Sequence, residues 1–381
     1  MTRLVALDLP GGRAFLDALT RCWERGDAVF VLDRRLPPAA RETLLDQVLP
    51  DVVVGPDGTQ TLRTGPGTAL APGDALVVAT SGSTGTPKLV VHTHEGLAAH
   101  ARAVHHRLGV DAPRDRWLAC LPLAHLGGFG VVARAVLTGT PVEVVDHFDA
   151  AVVEAAPDRG CTLVSLVPTA LDRCDTGRYR WVVVGGSSDP KPRAANVVHT
   201  YGLTETGGGV VYDGRPLDGV EVRVADDGAI AVRGPMLARG RRTPDGEVAP
   251  IVDADGWLVT GDRGRWVDEL LVVDGRADDL IVSGGENVWP GPVEQVLDTH
   301  PAVAEVAVVG RPDPNWGQRV VAVVVPTDPD RPPLLDELRS HVRASSLPVW
   351  CAPRELVVVG ALPRTALGKV ARHRLLDEPP G

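Results

Sequence analysis

From the start of the chain to about residue 200, short runs of Val, Ala and Leu alternate with amphipathic segments, the pattern of strands alternating with helices. The runs at Ala28 to Leu32, Ala75 to Ala79, Trp117 to Leu121, Val142 to Val145, Thr162 to Leu166 and Trp181 to Val184 are apolar at successive positions. Strands of that kind have both faces covered, which predicts largely parallel α/β sheets. Between Val210 and Val273 the texture changes to brief alternating segments, Val220 to Val224, Ala229 to Val232 and Leu270 to Val273. Asp-Gly pairs at 213, 227, 245, 255 and 274 punctuate them, so hairpins of a small β-structure subdomain are expected. After Arg276 the pattern predicts a helix opening at Pro292, strands near Val303 to Val309 and Val320 to Val325, a helix near Leu334 to Arg343 and a strand at Leu356 to Val359. The expected fold class is therefore α/β, a large N-terminal domain over residues 1–275 followed by a small α+β domain over 276–381.

Composition narrows the functional classes. The 42 glycines and 33 prolines make up about a fifth of the 381 residues, so turns are frequent; 44% hydrophobic and 23% charged residues nevertheless exclude a disordered polymer. A net charge of −10 with no basic block argues against nucleic acid as the main partner. Nowhere do ~18 uncharged apolar residues run together, so no membrane insertion is expected and the chain reads as cytoplasmic. Cys22, Cys120, Cys161, Cys174 and Cys351 form no C-x-x-C pair, and buried free thiols are expected in place of a zinc site or a disulfide framework. Among 39 basic side chains only Lys88, Lys191 and Lys369 are lysine. Arginine meets the general demand for positive charge, so each lysine is a candidate for a task that needs a compact ammonium. Lys191, after Asp189-Pro190, fits a surface turn and is given no chemistry.

The most informative stretch is Thr80-Ser81-Gly82-Ser83-Thr84-Gly85-Thr86-Pro87-Lys88, directly after a predicted strand. Small hydroxylated residues and glycines let backbone N–H groups approach an anion, and a terminal lysine adds a point charge, so the stretch reads as a triphosphate cradle. A Walker-type P-loop is disfavoured, because Leu89 follows the lysine where a magnesium-binding hydroxyl would stand. A plain Ser/Gly linker explains the composition but not the Pro-Lys that ends it. Four further clusters say little one by one: Tyr201-Gly202-Leu203-Thr204-Glu205-Thr206, Thr260-Gly261-Asp262, Gly275 to Ile281, and Pro363 to Lys369.

Taken in order and spacing, the five resemble the adenylate-forming superfamily of acyl-CoA synthetases, nonribosomal adenylation domains and luciferases, over residues 75 to 372. Ser165-Leu166-Val167-Pro168-Thr169 and Tyr201 to Tyr212, leading into Asp213-Gly214, are most similar to the o-succinylbenzoate–CoA ligases of menaquinone biosynthesis. The chain is short for that superfamily and is expected to be trimmed at its N-terminal side, as some members of that ligase group are.

The resemblance implies two half-reactions. A carboxylate attacks the α-phosphorus of ATP to give an acyl-adenylate and pyrophosphate, and the thiol of coenzyme A then displaces AMP. On the family's pattern Thr80, Ser81, Gly82, Ser83, Thr84, Gly85, Thr86 and Lys88 would hold the β- and γ-phosphates. Glu205 would hold Mg²⁺, with Thr84 as a second contact, since a hard cation takes carboxylate and phosphate oxygen. Tyr201, with Gly202 and Thr204 beside it, would flank the adenine, and Gly185-Gly186-Ser187 would close its other side. Asp262 would accept from the ribose hydroxyls, assisted by Arg276. The catalytic Lys369 would bridge the substrate carboxylate and the α-phosphate from a mobile lid. Asp278 matches the hinge on which the lid turns, and Ser283, Gly284 and Gly285 would then line the pantetheine tunnel. His125 would stand by the acyl pocket as a catalytic gate, with a satisfied core histidine as the rival reading. Ser165, Thr169, Gly207, Gly208 and Gly209 would line that pocket. Ala124 departs from the pattern, where relatives carry a bulkier aromatic residue.

Partners implied are the carboxylate, ATP and coenzyme A, with homodimerisation left open. The alternatives are another aryl- or acyl-CoA ligase, an adenylation domain that loads a carrier protein, and a non-catalytic nucleotide-binding protein. Lys369, Glu205 and Asp262 standing together argue against the last, since a sensor needs no residue that acts only in the transition state.

Overall fold

Leu4–Leu7 pairs in parallel with Ala28–Val31 on one side and Val52–Val54 on the other, and alternate residues of these strands enter two different cores. Val5, Leu7, Val29 and Val31 pack with Phe15 and Leu19 of the helix Arg13–Glu24. Leu4, Ala6, Ala28 and Phe30 meet Leu44, Leu45 and Val48 of the helix Pro38–Val48. That is the physical reason these runs are apolar at every position. The computed structural model describes residues 2–62, 70–80, 87–186, 194–243, 246–364 and 370–376.

Two large sheets organise the N-terminal part. The first has eight strands, parallel at its centre and antiparallel at its edges, where Lys88–Thr93 runs against Asp74–Thr80 and Gly240–Arg242 against Lys88–Thr93. Thr80 pairs with Lys88, so the loop between them closes a hairpin and does not lead from a strand into a helix as a Walker loop would. The second sheet has seven strands, parallel from Val142–Val144 across Trp117–Ala119, Leu163–Leu166 and Trp181–Val184 to Val197–Leu203, with Gly208–Tyr212 antiparallel beyond. The helices His94–Leu108 and Leu126–Thr138 fill the space between the sheets through Leu97, Val104, Phe129 and Val131. Thr93 caps the first of them by accepting from the Gly96 N–H at 3.0 Å.

A four-stranded antiparallel sheet follows, Glu221–Val224, Ala229–Arg233, Leu258–Val267 and Leu270–Arg276. Asp213-Gly214 makes the expected tight turn, with φ of 47° and 76°. Asp274-Gly275 does not: it lies inside the strand Leu270–Arg276. The reversal between the last two strands is made by Asp268-Glu269, at φ of 46° and 64°, a turn without glycine that turn statistics pass over.

The C-terminal part is a small α+β unit around a five-stranded sheet in which Val303–Asp313 pairs with Gly317–Pro326 along its length and Glu355–Val358 joins in parallel. Its helix opens at Pro290, two residues before the expected Pro292, since proline at the first helical position forfeits no hydrogen bond. The unit's cores, built on Val293, Leu297, Val308, Val320 and Leu338 and on Ala307, Val321 and Leu375, draw their residues from 281 onward. The largest N-terminal core runs from Val5 to Leu271. Cys22, Cys120, Cys161 and Cys351 are buried and all five cysteines are free thiols. Among the described residues, no helix is long and apolar enough to cross a membrane.

Candidate active site

The carboxyl ends of the parallel strands in both sheets release the loops that carry the candidate chemistry, the usual place for a ligand in open α/β folds. After Trp181–Val184 come Gly185 and Gly186; after Leu163–Leu166 come Pro168 and Thr169; Val197–Leu203 ends at the Tyr201 segment. Tyr201, Asp262 and Arg276, from three separate stretches of sequence, meet in one network. The Tyr201 hydroxyl donates to Asp262 Oδ2 at 2.7 Å, and Arg276 donates to Asp262 Oδ1 at 3.1 Å. Asp262 is 6% exposed, and these two donors hold its charge in place. Burial first, and the Asp262 charge second, push the Tyr201 phenol well above its ordinary range, so it remains a donor. Arg276 also stands 3.9 Å from Asp278, linking this network to the expected hinge.

Glu205 follows in the short turn Thr204–Thr206 and is largely buried. Its Oε1 takes two donors from Arg241 of the strand Gly240–Arg242, an ion pair that the motif itself did not foretell. Among the described residues both contacts fall on Oε1. No group of three or more acidic, His or Cys side chains that could cage a metal occurs among them either. A lone carboxylate fits Mg²⁺ that arrives on phosphate oxygens and keeps its waters. Gly202 lies where the Gly208 carbonyl passes: a Cβ there would stand 2.0 Å from that oxygen, so only glycine lets the Tyr201 strand bulge against its neighbour. Thr80 pairs with Lys88 at the two ends of the segment expected to hold phosphates, and Lys88 is exposed. Ser81, Gly82, Ser83, Thr84, Gly85, Thr86, Ser187 and Lys369 lie outside the described residues.

His125 precedes the helix Leu126–Thr138 and is not enclosed in the core. Its Nε2 stands 2.9 Å from Arg35 and 3.4 Å from Asp33, both just past the strand Ala28–Val31 of the other sheet. Burial alone would push the Asp33 carboxyl up; hydrogen bonds from Arg35 and His125 outweigh it and hold the group well below the usual carboxylate range. Sequence reasoning missed Asp33, Arg35 and Arg241; a Leu-Asp-Arg-Arg tetrad directly after a buried strand was the available signal for the first two. Ser165 is buried, Thr169 exposed, and the Gly207 to Gly209 turn packs against His100, whose Nε2 lies 2.9 Å from the Gly209 carbonyl oxygen. Asp278 is exposed in the turn Ala277–Asp279. Ser283 is buried, and Gly284 and Gly285 form a turn at φ of 64° and 84°, the first so close to the Trp316 ring that a Cβ would meet it at 2.7 Å.

Two fully buried histidines flank these loops and set an acid limit. Burial holds His92 down to about 4 and, with help from the Arg134 charge, His100 down to about 3. The unfolded chain takes up these protons near pH 6.5 and the folded one does not, so stability falls as pH drops from about 6.5 toward 4. Both histidines act in the same direction across that window. Urea unfolding at pH 7 and pH 5 should give a clearly lower midpoint at pH 5; equal midpoints would mean the imidazoles are not buried neutral.

Open sheets that carry a Tyr–Asp–Arg network and a buried glutamate paired with arginine fit a nucleotide-handling α/β enzyme. Residues 56–241 match the AMP-binding enzyme family and residues 292–369 the AMP-binding enzyme C-terminal domain. A probable 2-succinylbenzoate–CoA ligase of Mycobacterium tuberculosis (strain CDC 1551 / Oshkosh) is 43% identical over 327 residues, 79% of this chain and 84% of that protein. The o-succinylbenzoate CoA synthetase of Bacillus subtilis, solved with its acyl-adenylate intermediate, superposes with a TM-score of 0.85 at 28% identity, covering 100% of this chain and 89% of that one. The same enzyme with ATP and magnesium ion gives 0.83 at 27% identity, covering 98% and 89%. The chain belongs to the AMP-binding enzyme family, on its o-succinylbenzoate–CoA ligase branch.

Proposed function

We propose that the chain is an ATP-dependent o-succinylbenzoate–CoA ligase of menaquinone biosynthesis, working through an acyl-adenylate. The observation that carries the reading is the Tyr201–Asp262–Arg276 network beside Glu205, a nucleotide site in a chain 43% identical to a protein of that name. The reaction uses ATP, Mg²⁺ and coenzyme A, and the reading locates it in the cytoplasm.

In the first step a carboxylate oxygen of the acid attacks the α-phosphorus, the bond to the bridging oxygen breaks, and pyrophosphate leaves. Two anions must be brought together, so the site's work is positioning and charge neutralisation. Asp262 would take the ribose hydroxyls while Tyr201 and Arg276 fix its orientation; the Tyr201 ring and the Gly185-Gly186-Ser187 turn would bracket the base. Glu205 would hold Mg²⁺, which supplies positive charge at the phosphate oxygens when bound. Arg241, paired with Glu205, keeps a cation beside that carboxylate. Lys88 and the loop before it would receive the outer phosphates, and Lys369 would bridge the reacting carboxylate and the α-phosphate. In the second step the sulfur of coenzyme A attacks the acyl carbon, the acyl–phosphate bond breaks, and AMP leaves with the thiol proton passing to solvent.

Lys369 and the thiol need the same approach to the carbonyl, so the segment 276–381 would act as a lid that turns between steps. Its separate cores and its internal pairs, such as Arg311–Glu355 and Arg372–Glu294, support motion as a unit. Asp278→Pro is expected to slow thioester formation at least 10-fold while adenylation changes little, because proline fixes φ at the pivot. Unchanged rates in both half-reactions would remove Asp278 from the account.

A panel of carboxylic acids scored for ATP- and coenzyme A-dependent thioester tests the whole reading. Turnover of o-succinylbenzoate well above that of fatty or simple aryl acids is expected. Activity on fatty acids with none on o-succinylbenzoate would overturn the substrate assignment.

A further inference from the structure

Three arginines stand together in Arg239-Gly240-Arg241-Arg242, and the fold uses two of them for its own structure. Arg239 donates to both oxygens of the buried Asp74 at 2.7 Å. Arg242 donates to the carbonyls of Gln47 and Val48, at the carboxyl end of the helix Pro38–Val48. Arg241 lies between them, and because neighbouring residues of a strand face opposite sides it is sent away from Arg242. It ends on Glu205, the carboxylate assigned above to Mg²⁺.

The pair is lopsided. Nε and Nη2 of Arg241 both donate to Glu205 Oε1, and among the described residues Arg241 Nη1 and Glu205 Oε2 have no hydrogen-bond partner. The Arg241 side chain is 42% exposed and that of Glu205 11%, so the cation can be reached by a ligand while the anion beneath it is largely covered. A guanidinium carries five N–H donors in a fixed fork, and this one leaves an edge unused. His92, another basic group that feels the Glu205 charge, is held neutral by burial, which leaves Arg241 as the cation that meets this carboxylate among the described residues.

The backbone sets Arg241 near the other phosphate feature as well. Gly240–Arg242 runs antiparallel to Lys88–Thr93, with Arg241 opposite Val90 and Arg242 opposite Leu89. Arg241 thus touches Glu205 from a ladder position two residues away from Lys88. A triphosphate carries more negative charge than a single Mg²⁺ offsets, and Glu205 adds a further negative charge beside it. A planar guanidinium with free donors is well matched to phosphate oxygens at such a place.

We propose that Arg241 is a binding residue for the β- and γ-phosphates of ATP, and for pyrophosphate after the first step. It keeps its hold on Glu205 through Nε and Nη2 and offers Nη1 to phosphate oxygen. The assignment rests on the ATP-dependent reading above. A structural clamp that merely orients Glu205 is the rival role, and the two differ in what they do to ligands: only a phosphate receptor favours ATP and pyrophosphate over AMP when Glu205 is taken out of the comparison.

The test is calorimetric titration of the full chain with ATP, pyrophosphate and AMP in EDTA, where no metal links Glu205 to the phosphates. For Arg241→Met the expected result is affinity for ATP and pyrophosphate lowered at least about 10-fold, with AMP changed less than about 2-fold. Arg241→Lys, which keeps the charge, should recover most of the loss. Arg241→Gln, which keeps a donor for Glu205 without the charge, should not. In a Glu205→Gln background, adding Arg241→Met should again cost about 10-fold for ATP, because a receptor acts without Glu205. Equal losses for AMP and ATP, an Arg241→Gln variant that binds ATP like the wild type, or no further loss in the Glu205→Gln background would each overturn the assignment. If Arg241→Met does not fold, Arg241→Gln and Arg241→Lys carry the same comparisons, alone and in that background. A wild type that binds neither ATP nor AMP overturns the nucleotide reading and this assignment with it. A wild type that binds ATP no better than Arg241→Gln does overturns the assignment alone.

Discussion

Lys369→Ala should lower acyl-adenylate formation about 1,000-fold and leave thioester formation from supplied acyl-adenylate within a few-fold of wild type. The asymmetry follows from what the ammonium would do. In adenylation it neutralises an attacking carboxylate and an α-phosphoryl group that repel each other, a contribution realised most fully in the transition state. In thioester formation that repulsion is gone, because the acid is already an ester of AMP, and the side chain has to leave for the thiol to enter. Single-turnover rates for the two half-reactions, the second started from synthetic acyl-adenylate and coenzyme A, separate the roles. Equal loss in both would make Lys369 a structural residue.

Asp262→Ala carries the second largest expected effect, a rise of about 100-fold in the KM for ATP with the KM for o-succinylbenzoate little changed. The substitution removes the acceptor for the ribose and strands two donors that now converge on it, the Tyr201 hydroxyl at 2.7 Å and Arg276 at 3.1 Å. Asp262→Asn keeps one acceptor oxygen and should fall between. An unchanged KM for ATP in Asp262→Ala would contradict the nucleotide role of the network.

Motifs made of glycines, hydroxyls and a carboxylate beside a buried strand were legible because each residue type is demanded by a local geometry. Tyr201, Asp262 and Arg276 were readable in this way, as were the strands covered on both faces. Partnerships across the fold were not. Nothing in the sequence pairs His125 with Asp33 and Arg35, about ninety positions away, because that contact depends on how the two sheets face each other. Arg241 on Glu205 is hidden for the same reason. Local rules also misjudged Asp274-Gly275, which pairs within a strand, and passed over Asp268-Glu269, which turns without glycine. The contacts of Arg134 with the Trp117 ring and the Ser165 hydroxyl are hidden for the same reason.

Isotope exchange between labelled pyrophosphate and ATP, measured with o-succinylbenzoate and Mg²⁺ present and coenzyme A omitted, tests the central claim most directly. Reversible adenylation on the enzyme predicts rapid exchange that requires the acid and needs no thiol. Absence of exchange until coenzyme A is added, or release of ADP and phosphate in its place, would contradict the account.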